Sequence, residues 1–375
     1  MNTTTPRSPR SVLRCLGHQV AVALERGWDA ARLARRWDRR PRHLRIVPYL
    51  GHGPGPQAVV RGRVLDDPEP SPAEEGEGIR AALRRTLTHF LSDELPRVPL
   101  RLRLGSAEVG VLSDDEGYFE VRLDAGLAPD AGPWATGEAA LAGPYRGVTD
   151  PHRVPIPVRI PQPDAAFGVI SDVDDTILHT GAQRAVEMVR RTLTGSALTR
   201  TPLPGAPELY RALAAGDLNP LFYVSSSPWN LHDFLVAFLR RRDFPTGPLL
   251  LRDLLGTGEA RSHATTKHES IAEVLDLHPR LRFVLLGDSG QHDPEVYAEV
   301  VRRHPGRILA VYIREVRLDP GDGRVESVTD RWAHDVPFVL ASDSAAVAHH
   351  AADLDLITVA DARAVEVAVA AEASG

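Results

Sequence analysis

Lysine is almost missing from this chain: among its 44 lysine and arginine residues, Lys267 is the one lysine. An ammonium is a compact point charge on a flexible stem and a guanidinium is a broad planar fork, so the two do not exchange in a tight site. A position that keeps lysine while every other basic residue is arginine marks a place where a small cation is wanted. Cysteine is also down to one, Cys15, which excludes an intramolecular disulfide and agrees with a reducing compartment. No apolar run approaches the length of a membrane span. The arginine-rich start has no continuous apolar segment ahead of a small-residue cleavage site, Asn2 excludes myristoylation, and no prenylation cysteine stands at the end. The expected location is therefore cytoplasmic.

What is present is ordinary for a globular protein. The 375 residues, 43% hydrophobic and 25% charged, suffice for two or three domains and a sizeable core. Charge is unevenly placed. Eleven arginines against Glu25, Asp29 and Asp38 give residues 1–45 a net +8, which leaves −14 for the rest of a chain whose total is −6. A basic head on an acidic body points to an anionic partner. Within the head, Leu13, Leu16, Val20, Leu24, Trp28 and Ala31 recur every three or four residues, the period of a helix that Pro41 ends. Such a basic amphipathic helix either lies peripherally on an anionic membrane or packs on the acidic body. The acidic remainder argues against nucleic acid as a partner.

The pattern divides the chain into four parts. Residues 1–50 hold the basic helical segment, and the Gly/Pro stretch 51–56 reads as a linker. Residues 57–160 carry short β-type runs at 59–65, 100–104, 108–112 and 118–123, with a hairpin turn at 114–117, and predict a small β-sandwich. A Pro/Glu-rich loop at 68–78 and a short helix at 79–91 interrupt them, and the proline-rich stretch 151–163 is expected to be extended. In residues 165–345 apolar runs at 167–170, 221–224, 249–251, 283–286 and 308–313 alternate with helices predicted at 182–193, 206–215, 231–240, 268–277 and 294–303. That rhythm predicts an α/β unit with a parallel sheet covered on both faces. Residues 346–375 read as a C-terminal helical tail.

In such sheets the ligand lies at the carboxyl ends of the strands, and polar residues cluster there. The first run leads into Ser171-Asp172-Val173-Asp174-Asp175-Thr176, the second into Ser225-Ser226-Ser227-Pro228, and the fourth into Gly287-Asp288-Ser289-Gly290-Gln291-His292-Asp293. Lys267 opens the helix before that last strand. Each piece alone has a plain explanation: acidic loops are often solvated turns, serines before Pro228 make a helix N-cap, and a lone lysine can be a surface charge. Their joint occurrence at three strand ends points to a site. Gly287-Asp288-Ser289-Gly290 also matches the segment around the nucleophile of trypsin-like serine proteases. Those are antiparallel barrels with an early histidine, and Gln291 here replaces the next glycine, so that reading fails.

Phosphoryl transfer is the chemistry that fits. A carboxylate nucleophile splits hydrolysis into two easier steps, and clustered aspartates hold Mg2+ through hard oxygen ligands. A second carboxylate two residues on can move the protons. A hydroxyl and an ammonium stabilise the oxygens of the transferring group.

The arrangement resembles the haloacid dehalogenase superfamily of phosphatases and phosphotransferases, whose four motifs match Asp172 with Asp174, Ser225, Lys267, and Asp288 with Asp293. The resemblance implies that superfamily's doubly wound parallel sheet, with Asp172 as nucleophile, Asp174 as general acid/base, and Ser225 and Lys267 as phosphate clamps. It implies Mg2+ held by Asp172, Asp288 and the backbone carbonyl of Asp174, with Asp293 a ligand directly or through water. A narrower resemblance lies in Gly168–Thr176 (GVISDVDDT), Tyr223–Leu231 (YVSSSPWNL), Phe244–Arg252 (FPTGPLLLR) and Leu286–Tyr297 (LGDSGQHDPEVY). Over about residues 165–315 these are similar to the catalytic domain of the actin-patch-associated phosphatidate phosphatases and their bacterial relatives. Residues 60–123 are similar to the β-sandwich that precedes it. What this implies is hydrolysis of phosphatidate to diacylglycerol through an aspartyl-phosphate, with a phospholipid as substrate.

About thirty residues separate Asp172 from the helix near Ala206, too few for an independent cap domain. An open site suits a headgroup presented by a membrane, and it also admits a soluble phosphate ester or a phosphoprotein. The alternative from another class is a non-catalytic adaptor built on a phosphatase fold. Trp229, His179 and His292 flank the motifs and read as packing or loop residues, and Arg252 reads as a local partner of Asp253.

Overall fold

The computed structural model describes residues 40–67, 93–128, 130–173, 204–252, 263–289, 292–315, 332 and 335–373. The helix expected ahead of Pro41, the loop and helix expected at 68–91, the helix expected at 182–193, and Asp174 lie outside the described residues.

Nine strands form the first sheet: β1 (Leu44–Pro48), β2 (Gly51–His52), β3 (Ala58–Asp66), β4 (Asp93–Glu94), β5 (Pro99–Leu104), β6 (Ala107–Leu112), β7 (Tyr118–Leu123), β8 (Trp134–Leu141) and β9 (Val154–Arg159). They run in the order β1-β3-β2-β9-β8-β5-β6, with β4 and β7 also paired to β3. Every ladder is antiparallel except β2 with β9. Alternation drives them. In β5 (PLRLRL) Leu100, Leu102 and Leu104 are buried while the arginines between them face the other way. Their core also takes Leu44, Val60, Phe119 and Ile156.

Three strands here are not among the expected ones, although β9 falls in the stretch 151–163 expected to be extended. β8 (WATGEAAL) and β9 (VPIPVR) are diluted by small residues and prolines, and β1 is five residues long. The Gly/Pro stretch 51–56 differs from the expected linker: Gly51 and His52 form β2, seated between β3 and β9. A Cβ on Gly53 would lie 2.0 Å from the Gln57 carbonyl oxygen. The glycines are there for close approach of backbones, not for flexibility.

The second sheet has six strands: β10 (Gly168–Asp172), β11 (Leu221–Pro228), β12 (Leu249–Arg252), β13 (Phe283–Asp288), β14 (Ile308–Arg314) and β15 (Phe338–Ala341). Their order is β12-β11-β10-β13-β14-β15, and all five ladders are parallel. The chain winds outward from β10 in one direction, then returns to β13 and winds the other way. Helices α1 (Ala206–Ala214), α2 (His232–Arg241), α3 (His263–Leu277), α4 (Asp293–Arg303), α5 (Ser344–Asp353) and α6 (Val359–Ala373) accompany it. Val169, Tyr223 and Leu286 pack on one face and Ile170, Phe222 and Leu285 on the other, which is why β10 and β13 are buried along their whole length.

Each strand runs past its apolar run into the polar residues that follow, because ladder hydrogen bonds belong to the backbone and continue whatever the side chain. Helix α3 begins five residues before the expected start at His268. Lys267 therefore sits inside the helix and not at its opening, since Ala264-Thr265-Thr266 offers no apolar repeat to reveal the first turn. Helices α5 and α6 pack back on α1, with Ala348, Ala351, Ala362 and Val365 in one core with Leu209 and Leu213.

Candidate active site at the strand ends

Strands β10 and β13 are neighbours, and the winding direction reverses between them, the place where parallel sheets open a crevice. Asp172 ends β10 and Asp288 ends β13. Both are 0% exposed, and Asp293, the first residue of α4, is 1% exposed. One carboxylate oxygen from each of the three lies within 4.8 Å of the others. The positive end of α4 supports the charge on Asp293.

Lys267 reaches this cluster from α3. Its Nζ lies 2.7 Å from Asp172 Oδ1 and also donates to Asp293 Oδ1. The second Asp293 oxygen accepts the Asp288 N–H at 3.2 Å. Asp293 thus ties the ammonium to the backbone of β13. Gly287 makes the approach possible, since a Cβ there would lie 2.5 Å from Asp293 Oδ2 and 2.7 Å from the Tyr297 ring.

Ser225 is the residue after Val224, the partner of Asp172 in the β10–β11 ladder. Register between β11 and β12 slips between Val224 and Pro228, so the serines ride on a bulge that re-aims them. Ser225 is 2% exposed, and its Oγ accepts the Ser227 N–H at 2.9 Å. The structure therefore gathers Asp172, Lys267, Asp288 and Asp293 in one cluster, with Ser225 on the adjacent strand end.

Burial alone would discharge Lys267, but Asp172 and Asp293 outweigh it and hold the ammonium well above the usual lysine range. Arg314 stands opposite Asp288 in the β13–β14 ladder. Burial lowers its guanidinium, and Asp288 partly offsets that. Among the described residues, three buried carboxylates stand beside these two cations. Hard oxygen donors from three aspartates fit a divalent metal ion.

Two residues that hold the strand ends carry no sequence signal. The Tyr210 hydroxyl on α1 lies 2.5 Å from Ser171 Oγ, and Ser171 Oγ in turn donates to the Asp172 carbonyl at 2.7 Å. Tyr297 on α4 donates to the Leu286 carbonyl at 2.7 Å. A helical tyrosine reads as packing, and only the fold shows its hydroxyl at a strand end. His292 caps α4 from an exposed position without a side-chain cap bond. His179 and Asp253 lie outside the described residues.

Residues 167–315 match the family described as the catalytic domain of phosphatidate phosphatase APP1. That segment belongs to the APP1 catalytic-domain family. The chain is 30% identical over 243 residues to phosphatidate phosphatase APP1 of Saccharomyces cerevisiae, a match that covers 62% of this chain and 40% of the yeast protein. It is also 30% identical over 157 residues to an uncharacterized protein of Schizosaccharomyces pombe, covering 41% of this chain and 26% of that one. The chain thus spans less than half the length of the curated relatives it matches. Among solved structures, a carbohydrate acetylesterase from Xanthomonas citri aligns at 11% identity and a TM-score of 0.24, covering 71% of this chain and 65% of that chain, and a likeness at that level carries no argument. The matched segment ends at Glu315, so it holds every member of the cluster and leaves the nine-stranded sheet outside. Among the described residues no helix is long and apolar enough to cross a membrane.

Proposed function

We propose that the chain is a Mg2+-dependent phosphatase of the haloacid dehalogenase type, with a doubly wound catalytic sheet, that converts phosphatidate to diacylglycerol through an aspartyl-phosphate on Asp172. The observation that carries this reading is the buried cluster of Asp172, Asp288 and Asp293 around Lys267 at the point where the winding reverses. A non-catalytic adaptor has no use for a lysine buried between two carboxylates.

Lys267 keeps Asp172 ionised, as a nucleophile requires. Asp172 attacks phosphorus, the bond to the leaving alkoxide breaks, and Asp174, two residues on, gives that oxygen its proton. Water then attacks the aspartyl-phosphate, Asp174 takes the water's proton, and the Asp172–phosphorus bond breaks to release inorganic phosphate. Ser225 and Lys267 donate to the equatorial phosphoryl oxygens. Asp172, Asp288 and the Asp174 carbonyl would hold Mg2+, which would draw charge from the phosphoryl oxygens. Asp293, engaged by Lys267 and the Asp288 N–H, would serve it directly or through water.

The substrate follows from the family match, and the basic segment 1–45 supplies the means to meet an anionic membrane from the cytoplasm. The test is phosphate release from phosphatidate in mixed micelles beside soluble monoesters, with and without Mg2+. Phosphatidate turnover that needs Mg2+ and vanishes in Asp172→Asn supports the reading. Turnover of soluble esters alone replaces the substrate, and no Mg2+-dependent release from any ester sinks the reading.

A further inference from the structure

The nine-stranded sheet holds no catalytic cluster among its described residues, yet it grips both elements that bring Ser225 and Lys267 to the site. Tyr49, between β1 and β2, is 2% exposed. Its ring stacks on His232 at 3.8 Å between centroids and on Trp229 at 5.1 Å with the planes 4° apart. Trp229 follows the serine bulge after Pro228, and His232 opens α2. Arg61 of β3 lies over the other neighbour's ring, 5.9 Å from the Trp229 centroid. The same guanidinium donates at 2.5 Å to Glu273 on α3, six residues beyond Lys267. His52 of β2 places Nε2 3.3 Å from the second Glu273 oxygen.

We infer that the nine-stranded sheet is a brace for the catalytic site, with Tyr49 and Arg61 as positioning residues that set the Ser225 loop and the Lys267 helix against each other. What the loop and helix do rests on the phosphatase reading; that they are braced does not. Ser225–Ser227 lies on a bulge, where the ladder with β12 is interrupted. It is followed by a single 3-10 turn, Trp229–Leu231, a form with poor hydrogen-bond geometry. Helix α2 starts without a side-chain cap. The regular ladder and helix bonds are thin along this segment, and the aromatic stack adds a restraint from the other sheet. Glu273 and Lys267 ride on one helix, so the ion pair at Glu273 sets how far along its axis Lys267 stands. A clamp displaced by about 1 Å costs on the order of a hundredfold in rate, so a brace of this kind shows in turnover and not in stability alone. Among the described residues the Tyr49 hydroxyl has no hydrogen-bond partner, so its ring does the work and phenylalanine replaces it.

The experiment uses the full chain with Tyr49→Ala and Tyr49→Phe, each read by kcat and KM on p-nitrophenyl phosphate well below its melting temperature, and by amide exchange across residues 225–232. Tyr49→Ala is expected to lower kcat about tenfold or more with a smaller change in KM, and to speed exchange at 225–232 while β10 and β13 stay protected. Tyr49→Phe is expected to restore both. A folded Tyr49→Ala with wild-type kcat and unchanged exchange at 225–232 overturns the inference. Should Tyr49→Ala fail to fold, Arg61→Met is read the same way, with exchange followed across α3. Wild-type protein that releases no phosphate from p-nitrophenyl phosphate or from phosphatidate, together with faster exchange in Tyr49→Ala, would overturn the phosphatase reading and keep the brace.

Discussion

Lys267 Nζ lies 2.7 Å from Asp172 Oδ1 where the two side chains are 5% and 0% exposed. Asp293 takes a second of its three protons. Lys267→Ala would remove the ammonium from between two buried carboxylates, and a buried pair broken from one side costs roughly 3–5 kcal/mol. Lys267→Arg keeps the charge but brings a planar fork into a space shaped around one nitrogen. Both variants are expected to lower phosphate release by roughly a hundredfold or more. Wild-type kinetics for Lys267→Arg would show that the site accepts any cation and that the lone lysine is an accident.

Gly287→Ala is expected to disturb the same cluster from the backbone side. Its Cβ would lie 2.5 Å from Asp293 Oδ2, on the atom that accepts the Asp288 N–H. Overpacking of this kind costs about 1–3 kcal/mol, and phosphate release should fall with it. Gly143→Ala is the control, because nothing lies within 4 Å of a Cβ there. Urea midpoints for the two variants check this, and equal midpoints would mean that the cluster gives way freely.

The position of the cluster is legible in the amino-acid sequence. Apolar runs end where Asp172, Ser225 and Asp288 begin, and a parallel sheet brings strand ends together. What stays hidden there follows from the same physics. The start of α3 lacks an apolar period, so Lys267 reads as the first residue of a helix that in fact begins at His263. β15 (FVLA) is a four-residue apolar run at the sheet edge, directly after Pro337 and with no helix pattern ahead of it to mark it as a strand. His52 is 1% exposed inside a Gly/Pro stretch, and composition cannot tell a tight crossing of backbones from a linker. Tyr49 and Glu273 are more than two hundred residues apart in sequence, and only the fold brings them to one interface.

Three aspartates at one site should not respond alike to Asn. Asp172→Asn is expected to abolish phosphate release in a protein that still folds, because it removes the nucleophile and little volume, although it also takes one carboxylate from the buried Lys267. Asp288→Asn should leave turnover that needs about tenfold or more Mg2+ for half its maximum, since a carboxylate ligand becomes a neutral oxygen. Asp293→Asn should lower the melting temperature most, because its carboxylate bonds Lys267 with one oxygen and the Asp288 N–H with the other. Mg2+ titrations and melting curves on the three variants check this, and identical profiles would argue against separate roles.

Acid should loosen the interface between the two sheets in two steps. His52 and His278, with nitrogens 3.2 Å apart, are both held below the ordinary histidine value near 6.5, in each case chiefly by burial. Arg61 also lowers His52, while Arg307 and Arg159 lower His278, and Glu273 only partly offsets this. The folded chain keeps both rings neutral while the unfolded chain takes up a proton on each below 6.5. Their contribution is therefore whole above that pH and is lost as pH falls, by up to about 1.4 kcal/mol per pH unit for each proton. Glu273 follows. Burial raises its carboxyl, but His52 and Arg61 outweigh that and bring it down to about 2. Its contribution is whole above the ordinary value of 4.5 and is lost only as pH falls from there towards about 2. The urea midpoint should drop between about pH 7 and pH 5, and His278→Gln should flatten that drop. The deficit of Glu273→Gln against wild type should stay constant across the same range and shrink only below about pH 4.5. A His278→Gln midpoint that falls as steeply as wild type would place the acid-sensitive groups elsewhere.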